Sequence, residues 1–328
     1  MNLVLTRAHD LHTDLVINSL ERKGSQCIRF ETPNFPQKVG VTISCPSPGH
    51  DLSCLQINGQ HIDLGRVRTV WFRRPDPPIP APSLDAESQE FARSESRLAL
   101  EALWHLLRDR FWVNPYDSCC AARLKPYQLQ VARTVGFRVP RTLITNNPSE
   151  AASFFQRCKG LMIYKALNTH SREKRGITNG VYTSAVSESD LTSRLSEISV
   201  APCIFQECIP KKAEFRVTVI GQRIFTVAIQ SQETSHSTLD WRRNIGSVSY
   251  QSSQLPDFIV VKIHEMLRRM DLVFGCFDFI LTPNDEFVFL ELNPNGQWYF
   301  VEEGTGMPLL DSFTEMLNQG TVHYLSHD

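Results

Sequence analysis

The sequence has no long apolar run. No segment of its 328 residues approaches the roughly 18 consecutive apolar residues that a membrane-spanning helix needs. The opening ten residues, MNLVLTRAHD, contain too few apolar side chains for the core of a secretory signal peptide. These absences predict a cytoplasmic protein with no membrane partner.

Paired cysteines are also missing. The nine cysteines are an odd number without a C-x-x-C pair, and Cys119 and Cys120 are adjacent. This usage fits neither a disulfide framework nor a zinc site, so we expect mostly reduced thiols in the core. The sequence also has no recognisable Ser-His-Asp or Cys-His motif that would indicate an enzyme nucleophile.

An excess of one charge is missing too. The chain has 34 Lys and Arg against 35 Asp and Glu, so no global field attracts nucleic acid and none is expected as a partner. The 41% hydrophobic and 21% charged residues are typical of a globular protein. A chain of this length predicts two or three packed modules.

The chain opens with an α/β pattern. Residues 2–6 indicate a buried strand, residues 10–23 an amphipathic helix that stops at Gly24, and the following CIRF a second strand. Asn58-Gly59 is a strong hairpin signal within a group of short strands. Further elements are predicted as a strand in RVRTVWFRRP, helices at 85–110, 126–136 and 257–270, a helix capped by Asn147, strands in VPRTLIT, LMIYKAL and CIFQECI, and hairpins about Gly221 and at 275–293.

The last hairpin carries two opposed carboxylates. Its turn centre lies between Asn284 and Asp285, which places Asp278 opposite Glu291, with Asn293 on the same face as Glu291. Opposed like charges are destabilising unless a cation lies between them, and oxygen ligands suit Mg²⁺ carried by nucleotide phosphates. The pattern therefore predicts a Mg²⁺ site. The alternative is a carboxylate that is solvated at a sheet edge.

Two lysines and one loop are candidates for phosphate contact. Lys165 ends a strand and Lys125 immediately precedes a helix start, positions where an ammonium group can meet phosphate oxygens. The polar, basic loop 168–180 contains two glycines and is suited to close over a triphosphate. A lysine of either kind is otherwise an ordinary solvated residue, and the loop an ordinary solvated loop.

Two arginine pairs are candidates for contact with acidic side chains of a peptide. Arg73 and Arg74 follow a strand of the first module, at the carboxyl end where α/β folds usually bind ligands. Arg242 and Arg243 raise the same possibility. The alternative for each pair is a structural ion pair.

The order and spacing of these segments resemble the ATP-grasp superfamily and, within it, the graspetide synthetases, ligases that crosslink ribosomal peptides in microviridin-like pathways. The resemblance implies an α/β (α+β) fold with an N-terminal pre-ATP-grasp domain at 1–115, a central lobe at 116–208 and a C-terminal lobe with the metal site at 209–328. The matching segments are VWFRRP (70–75), NPYDSCCAARLKPYQLQVARTVGFRVPRTLIT (114–145), FQECIPKKAEFRVTVIG (205–221), DWRR (240–243) and FLELNPNGQWYF (289–300).

The resemblance also implies roles for individual residues. Lys125 and Lys165 would hold ATP phosphates, Glu214 would contact the ribose, and Arg216 would lie near the transferred phosphate. An ion pair between Arg216 and Glu214 is the alternative. The adenine-binding hinge between two lobes would consist of Gln206, Glu207, Cys208 and Ile209.

The activity that this resemblance implies is ATP-dependent ligation. With ATP and Mg²⁺, Asp or Glu side chains of a precursor peptide with a leader and an acidic core would become acyl phosphates, which a hydroxyl or amine of the same peptide then displaces. A homodimer is left open. One alternative is a ligase that joins a free amino acid or amine to a peptide or small acid, and another is a nucleotide-gated peptide-binding protein without turnover.

Overall fold

The computed structural model describes most of the chain. The described residues are 1–44, 53–167, 183–230 and 249–322, together with the backbone of two short strands between 172 and 179. Arg242, Arg243 and most of the predicted phosphate loop at 168–180 lie outside the described residues.

The N-terminal part builds a parallel sheet of four strands and an antiparallel sheet of three. Its elements are β1 (Asn2–Thr6), α1 (Leu11–Arg22), β2 (Cys27–Glu31), β3 (Val39–Thr42), β4 (Cys54–Ile57), β5 (Gln60–Asp63), β6 (Thr69–Phe72), α2 (Ala86–Leu106) and β7 (Phe111–Val113). The parallel sheet has the order β2-β1-β6-β7. The predicted βαβ start is confirmed, and so is the hairpin at Asn58-Gly59, whose two residues have φ of 50° and 78°.

The middle part contains an antiparallel sheet of four strands with helices around it. Its elements are α3 (Tyr116–Ala122), α4 (Lys125–Thr134), β8 (Thr142–Thr145), α5 (Pro148–Arg157), β9 (Met162–Lys165), β10 (Arg172–Lys174), β11 (Ile177–Asn179), β12 (Ser184–Val186), α6 (Glu188–Arg194) and β13 (Cys203–Glu207). The sheet has the order β12-β9-β13-β8, and β10 pairs with β11. Asn147 caps α5 as predicted, since its side chain accepts a hydrogen bond from Ser149 N at 3.0 Å.

The C-terminal part is built on a five-stranded antiparallel sheet, in the order β16-β15-β14-β17-β18. Its elements are β14 (Ala213–Ile220), β15 (Arg223–Ile229), β16 (Tyr250–Ser253), α7 (Asp257–Arg269), β17 (Phe274–Leu281), β18 (Phe287–Asn293), α8 (Tyr299–Thr305) and α9 (Leu309–Gln319). Short 3₁₀ helices lie at Thr32–Asn34, Leu64–Arg66 and Leu195–Val200.

Two hydrophobic cores cover the five-stranded sheet. On one face, Phe277, Phe279 and Phe289 pack with apolar residues of α4 and α7. A second core joins the N-terminal sheet to the C-terminal helices, where the rings of Trp71 and Phe313 lie 4.9 Å apart at their centroids. The N-terminal part is therefore packed directly against the lobe that carries the predicted metal site.

The predicted register of the last hairpin is confirmed at the carboxylates. Asp278 pairs with Glu291, but next to this pair the register shifts at a bulge, so Phe279 pairs with Phe289 and not with Leu290. The turn-based prediction is therefore right at the predicted site and wrong nearer the turn, because pattern counting does not detect a bulge.

The helix predicted at 85–110 is shorter in the structure, because α2 ends at Leu106. Phe111–Val113 forms an edge strand beside β6 that the sequence did not indicate. The apolar run FWV is too short to distinguish a buried strand from a continued helix. Helix α3 was also not predicted.

In the described ranges, no helix is both long and apolar enough to span a bilayer. The division at 115 and 208 stays a prediction, as does a homodimer. Helix α4, placed in the central lobe by that division, packs against the five-stranded sheet through Leu129 and Val131.

Candidate active site

The centre of the site is a pair formed across two strands of the five-stranded sheet. Arg216 on β14 lies opposite Asp278 on β17, and its Nη1 donates to both carboxylate oxygens, at 3.0 and 3.1 Å. Burial acts to lower the pKa of Arg216, but the Asp278 carboxylate outweighs it and holds this pKa above its ordinary value. The sequence left open an ion pair with Glu214, whereas the structure pairs Arg216 with Asp278.

A second cation lies against the other carboxylate of the hairpin. Lys125 Nζ is 3.5 Å from Glu291 Oε2, and both side chains are mostly buried. The buried Gln128 ties α4 to β18, because its Oε1 accepts from Leu292 N at 2.9 Å and its Nε2 donates to Leu292 O at 2.7 Å. The first turn of α4 therefore presents Lys125 to the face of β18 that carries Glu291.

These two pairs change the argument for a metal. The opposed carboxylates of Asp278 and Glu291 are each compensated by a cationic side chain of the protein, so their repulsion does not by itself require Mg²⁺. Asn293 shares their face, and its Oδ1 accepts a hydrogen bond from Asn295 N at 3.0 Å. Within the described part of the chain, no group of three or more His, Cys, Asp or Glu side chains is arranged to hold a metal.

The donor set nevertheless fits one kind of metal. Two carboxylates and an amide oxygen with a second lone pair are hard ligands, and Mg²⁺ is usually held by one or two carboxylates together with substrate phosphates. The residues therefore fit Mg²⁺ that arrives with a nucleotide, and they do not fit a metal held by protein ligands alone.

The predicted hinge lies where the middle sheet leads into the five-stranded sheet. Gln206 is buried and donates to Thr142 Oγ1 at 2.9 Å, while its Oε1 has no partner among the described residues. Glu207 is occupied by Arg141, whose Nε lies 2.5 Å from Glu207 Oε2. Cys208 N donates to Leu161 O at 2.8 Å, and Ile209 makes no backbone hydrogen bond within the described residues.

Two lysines lie beside this hinge. Lys165 ends β9, next to β13, and together with Lys211 it acts against the effect of burial, which raises the pKa of the Cys208 thiol. Lys211 Nζ is 2.6 Å from Glu214 Oε1, and Glu214 is buried on the same face of β14 as Arg216. Lys165, Lys211 and the predicted ribose ligand Glu214 therefore lie near the hinge, and Glu214 shares its strand face with Arg216.

Arg73 and Arg74 differ in their environments. Arg73 is 1% exposed, and its Nε donates to Asp10 Oδ1 at 3.1 Å. Arg74 is half-buried with a φ of 46°, and its Nε donates to Asn295 O at 2.9 Å. Burial, aided by the charge of Arg73, lowers the pKa of Arg74 to about 10. The structure therefore favours a structural ion pair for Arg73 and leaves Arg74 as a candidate for substrate contact.

Two buried polar residues near the site were not predicted from the sequence. The side-chain amide of Asn114 makes four hydrogen bonds to backbone groups. Its Nδ2 donates to Phe274 O and Pro294 O, and its Oδ1 accepts from Val273 N and Phe274 N. His12 accepts hydrogen bonds from the backbone after β18. Their partners are far away in sequence, and the only local signal was a polar residue within an apolar pattern.

Comparison with known proteins identifies the family. Residues 1–119 match the family model of the MvdD pre-ATP grasp domain. The macrocyclase MdnC from Microcystis aeruginosa MRC, solved with precursor peptide MdnA, is 31% identical with a TM-score of 0.86, over 98% of this chain and 100% of its own. The chain belongs to the graspetide synthetases of the ATP-grasp superfamily. The α/β fold expected for such a synthetase is confirmed.

Two further solved proteins resemble the chain over nearly its whole length. The macrocyclase MdnB from Microcystis aeruginosa MRC is 32% identical, with a TM-score of 0.81 over 96% of this chain and 98% of its own. An ATP-grasp ligase from Chryseobacterium gregarium, associated with ribosomal peptides and solved with ADP and a leader and core peptide, is 27% identical, with a TM-score of 0.87 over 98% and 97%. A comparison with curated proteins gives no match.

Proposed function

We propose that this synthetase uses ATP to activate Asp or Glu side chains of a ribosomal precursor peptide and closes ester or amide crosslinks within that peptide. The observation that carries the proposal is the buried Arg216, held by Asp278 opposite Glu291 on one sheet face. Two carboxylates that can hold a metal, next to a guanidinium fixed in place, suit phosphoryl transfer from a metal-bound nucleotide. The solved complexes of MdnC with MdnA and of the Chryseobacterium ligase with ADP, leader and core support the same class of substrate.

The nucleotide lies along the route from the hinge to Arg216. Ile209 offers adenine a backbone group that no described residue uses, and Glu214 accepts from the ribose. Lys165 and Lys125 donate to the phosphates as point charges. Lys125 reaches them by leaving its 3.5 Å contact with Glu291, which is longer than a strong ionic hydrogen bond.

The metal is assigned to the two carboxylates of the hairpin and the amide next to them. Asp278, Glu291 and Asn293 would hold Mg²⁺, which when bound neutralises charge on the nucleotide phosphates. Glu291 becomes available to it when Lys125 turns to the phosphates. Asp278 keeps Arg216 in place, since one carboxylate has lone pairs for both partners.

In the first step, an oxygen of the peptide carboxylate forms a bond to the γ-phosphorus of ATP, and the bond from that phosphorus to the bridging oxygen of ADP breaks. Arg216 lies where it can stabilise the charge on the transferred group. Arg74 is anchored through Nε and holds the incoming carboxylate with its terminal nitrogens. Arg73 supports Arg74 by binding the same carbonyl, that of Asn295.

In the second step, a Ser or Thr hydroxyl or a Lys amine of the peptide attacks the acyl carbon. The bond from that carbon to the phosphate oxygen breaks, inorganic phosphate leaves, and the nucleophile loses a proton. No enzyme nucleophile is required, because positioning and electrostatic stabilisation supply most of the rate enhancement in such reactions.

The test is incubation with ATP, Mg²⁺ and a candidate precursor peptide with a leader and an acidic core, followed by mass spectrometry. The expected result is the loss of one water from the peptide for each crosslink, with one ADP formed for each water lost. A gain in peptide mass with an added amine would instead indicate ligation of a free amine. Peptide binding without any ADP release would indicate a protein without turnover.

A further inference from the structure

The loop between β18 and α8, residues 294–298 and here called the anchor loop, is held by side chains from distant parts of the chain. Asn114 Nδ2 donates to the carbonyl of Pro294 at 2.9 Å. Arg73 Nη1 donates to the carbonyls of the next two residues, at 2.9 and 3.1 Å. The N-terminal part of the protein therefore fixes the backbone that follows the predicted metal ligand Asn293.

His12 holds the end of this loop. Its Nε2 accepts from Trp298 N and from Tyr299 N, each at 3.1 Å, and these N–H groups begin α8, where no helical carbonyl reaches them. His12 is 6% exposed and Trp298 fully buried, with their rings 5.0 Å apart and edge to face. A ring nitrogen that accepts two hydrogen bonds carries no proton, so His12 is neutral with its proton on Nδ1.

The anchor loop touches the catalytic arginine directly. Arg216 Nη2 donates to the carbonyl of Gln297 at 2.9 Å. A Cβ atom on Gly296 would lie 2.9 Å from the same Nη2 and 2.5 Å from Cys276 Sγ, so the loop backbone is packed against Arg216 without spare room. A displacement of the loop therefore displaces the guanidinium or removes one of its acceptors.

We propose that His12 is a positioning residue for the ligase reaction. By holding the start of α8 it keeps the Gln297 carbonyl against Arg216, and it thereby couples the N-terminal unit to the geometry of phosphoryl transfer. The proposal rests on the role given to Arg216 in the proposed function. His12 is buried against the loop backbone and acts through it, without a catalytic role of its own.

Three variants separate positioning from general stability. His12→Phe keeps a buried ring but removes the acceptor, and His12→Gln keeps a neutral acceptor. Val16→Ala is the matched control, because Val16 is fully buried on the same helix and in the same core as Trp298, but its apolar side chain cannot accept a hydrogen bond from the anchor loop. If His12→Phe does not fold, His12→Asn replaces it, since its shorter side chain does not reach both N–H groups.

Two measurements are made on the folded full-length variants, well below their melting temperatures. Hydrogen exchange of fragments that contain Trp298 and Tyr299 is expected to be at least about tenfold faster in His12→Phe, and unchanged in His12→Gln and Val16→Ala. The kcat for ADP release with peptide is expected to fall about tenfold in His12→Phe with KM for ATP within about threefold. His12→Gln and Val16→Ala should keep kcat within about threefold of the parent.

Three results would overturn the proposal. These are unchanged exchange in His12→Phe, faster exchange with parental kcat, and a loss of kcat in Val16→Ala as large as in His12→Phe. If the parent enzyme does not modify the peptide, that result counts against the proposed function. The exchange measurement needs no substrate and tests separately whether His12 holds the loop.

Discussion

Arg216 on β14 and Asp278 on β17 face each other and form an ion pair. A single nitrogen, Arg216 Nη1, donates to both carboxylate oxygens of Asp278, at 3.0 and 3.1 Å. Only 7% of the Arg216 side chain and 15% of the Asp278 side chain are exposed. This pair reverses one expectation from the sequence. Opposed carboxylates alone would make loss of one charge stabilising, whereas here that loss leaves a buried guanidinium less well compensated.

Asp278→Asn is therefore expected to lower the free energy of unfolding of the nucleotide-free protein by about 1–3 kcal/mol, because a charged acceptor is replaced by a neutral one. Turnover should fall at least about tenfold, or roughly 1.4 kcal/mol of barrier. Urea unfolding and ADP release measure the two effects. Asp285→Asn is the control in the same hairpin, since Asp285 pairs with Lys212 at the exposed surface; equal losses in both variants would contradict the role of Asp278.

Lys125→Met and Lys165→Met are expected to weaken ATP binding at least about tenfold, because each loses a point charge that a phosphate needs. Isothermal titration with a non-hydrolysable ATP analogue is the measurement. Lys23→Met is the control, because Lys23 pairs with Asp311 on an exposed surface. Parental affinity in both site variants would remove these lysines from the nucleotide site.

Arg73→Ala and Arg74→Ala are expected to have different effects, the first on stability and the second on peptide binding. Loss of the buried Arg73 leaves Asp10 uncompensated and is expected to destabilise the protein by about 3–5 kcal/mol. Loss of Arg74 is expected to raise KM for the acidic peptide at least about fivefold while the affinity for ATP changes less than about twofold. Thermal melts measure the loss of stability, and steady-state kinetics measure the change in KM. An equal loss of ATP and peptide affinity in Arg74→Ala would assign that residue to nucleotide or structure.

Acid should weaken the contact between His12 and α8. Burial and then the charge of Arg73 lower the pKa of His12 from 6.5 to about 3, with Asp10 acting in the opposite direction. A lowered folded pKa means that the stabilisation is fully present above pH 6.5 and is lost as the pH falls toward 3. Between pH 7 and pH 5 this loss is about 2 kcal/mol. Urea unfolding should show a shallower pH dependence in His12→Gln than in the parent, and identical slopes would contradict the neutral His12.

Gly296→Ala tests the close packing of the anchor loop. The added Cβ has no room beside Cys276 and Arg216, so we expect about 1–3 kcal/mol of destabilisation and a fall in kcat of at least about tenfold. Gly40→Ala in the small antiparallel sheet is the control, because Gly40 is exposed and the nearest atom to its added Cβ would be Gln56 Cβ at 3.3 Å, against 2.5 Å for Cys276 Sγ at Gly296. Parental kcat in Gly296→Ala would show that Arg216 tolerates a shift of the loop.

Local pattern was enough for much of the fold. The βαβ start, the Asn58-Gly59 hairpin and the pairing of Asp278 with Glu291 follow from periodicity and turn chemistry, which act over a few residues. The cations on those carboxylates were not predictable as partners, because Lys125 reaches Glu291 across 166 positions of sequence. The same holds for His12, whose acceptor nitrogen meets Trp298 across 286 positions.

The most direct test of the mechanism follows one oxygen atom. Precursor peptide is prepared with the heavy oxygen isotope in its Asp and Glu side-chain carboxylates and is converted by the synthetase with ATP and Mg²⁺. If an acyl phosphate forms, the attacking carboxylate oxygen stays on phosphorus, so one labelled oxygen appears in inorganic phosphate for each crosslink closed. Label that is absent from inorganic phosphate, or found in AMP, while crosslinks form would contradict the account.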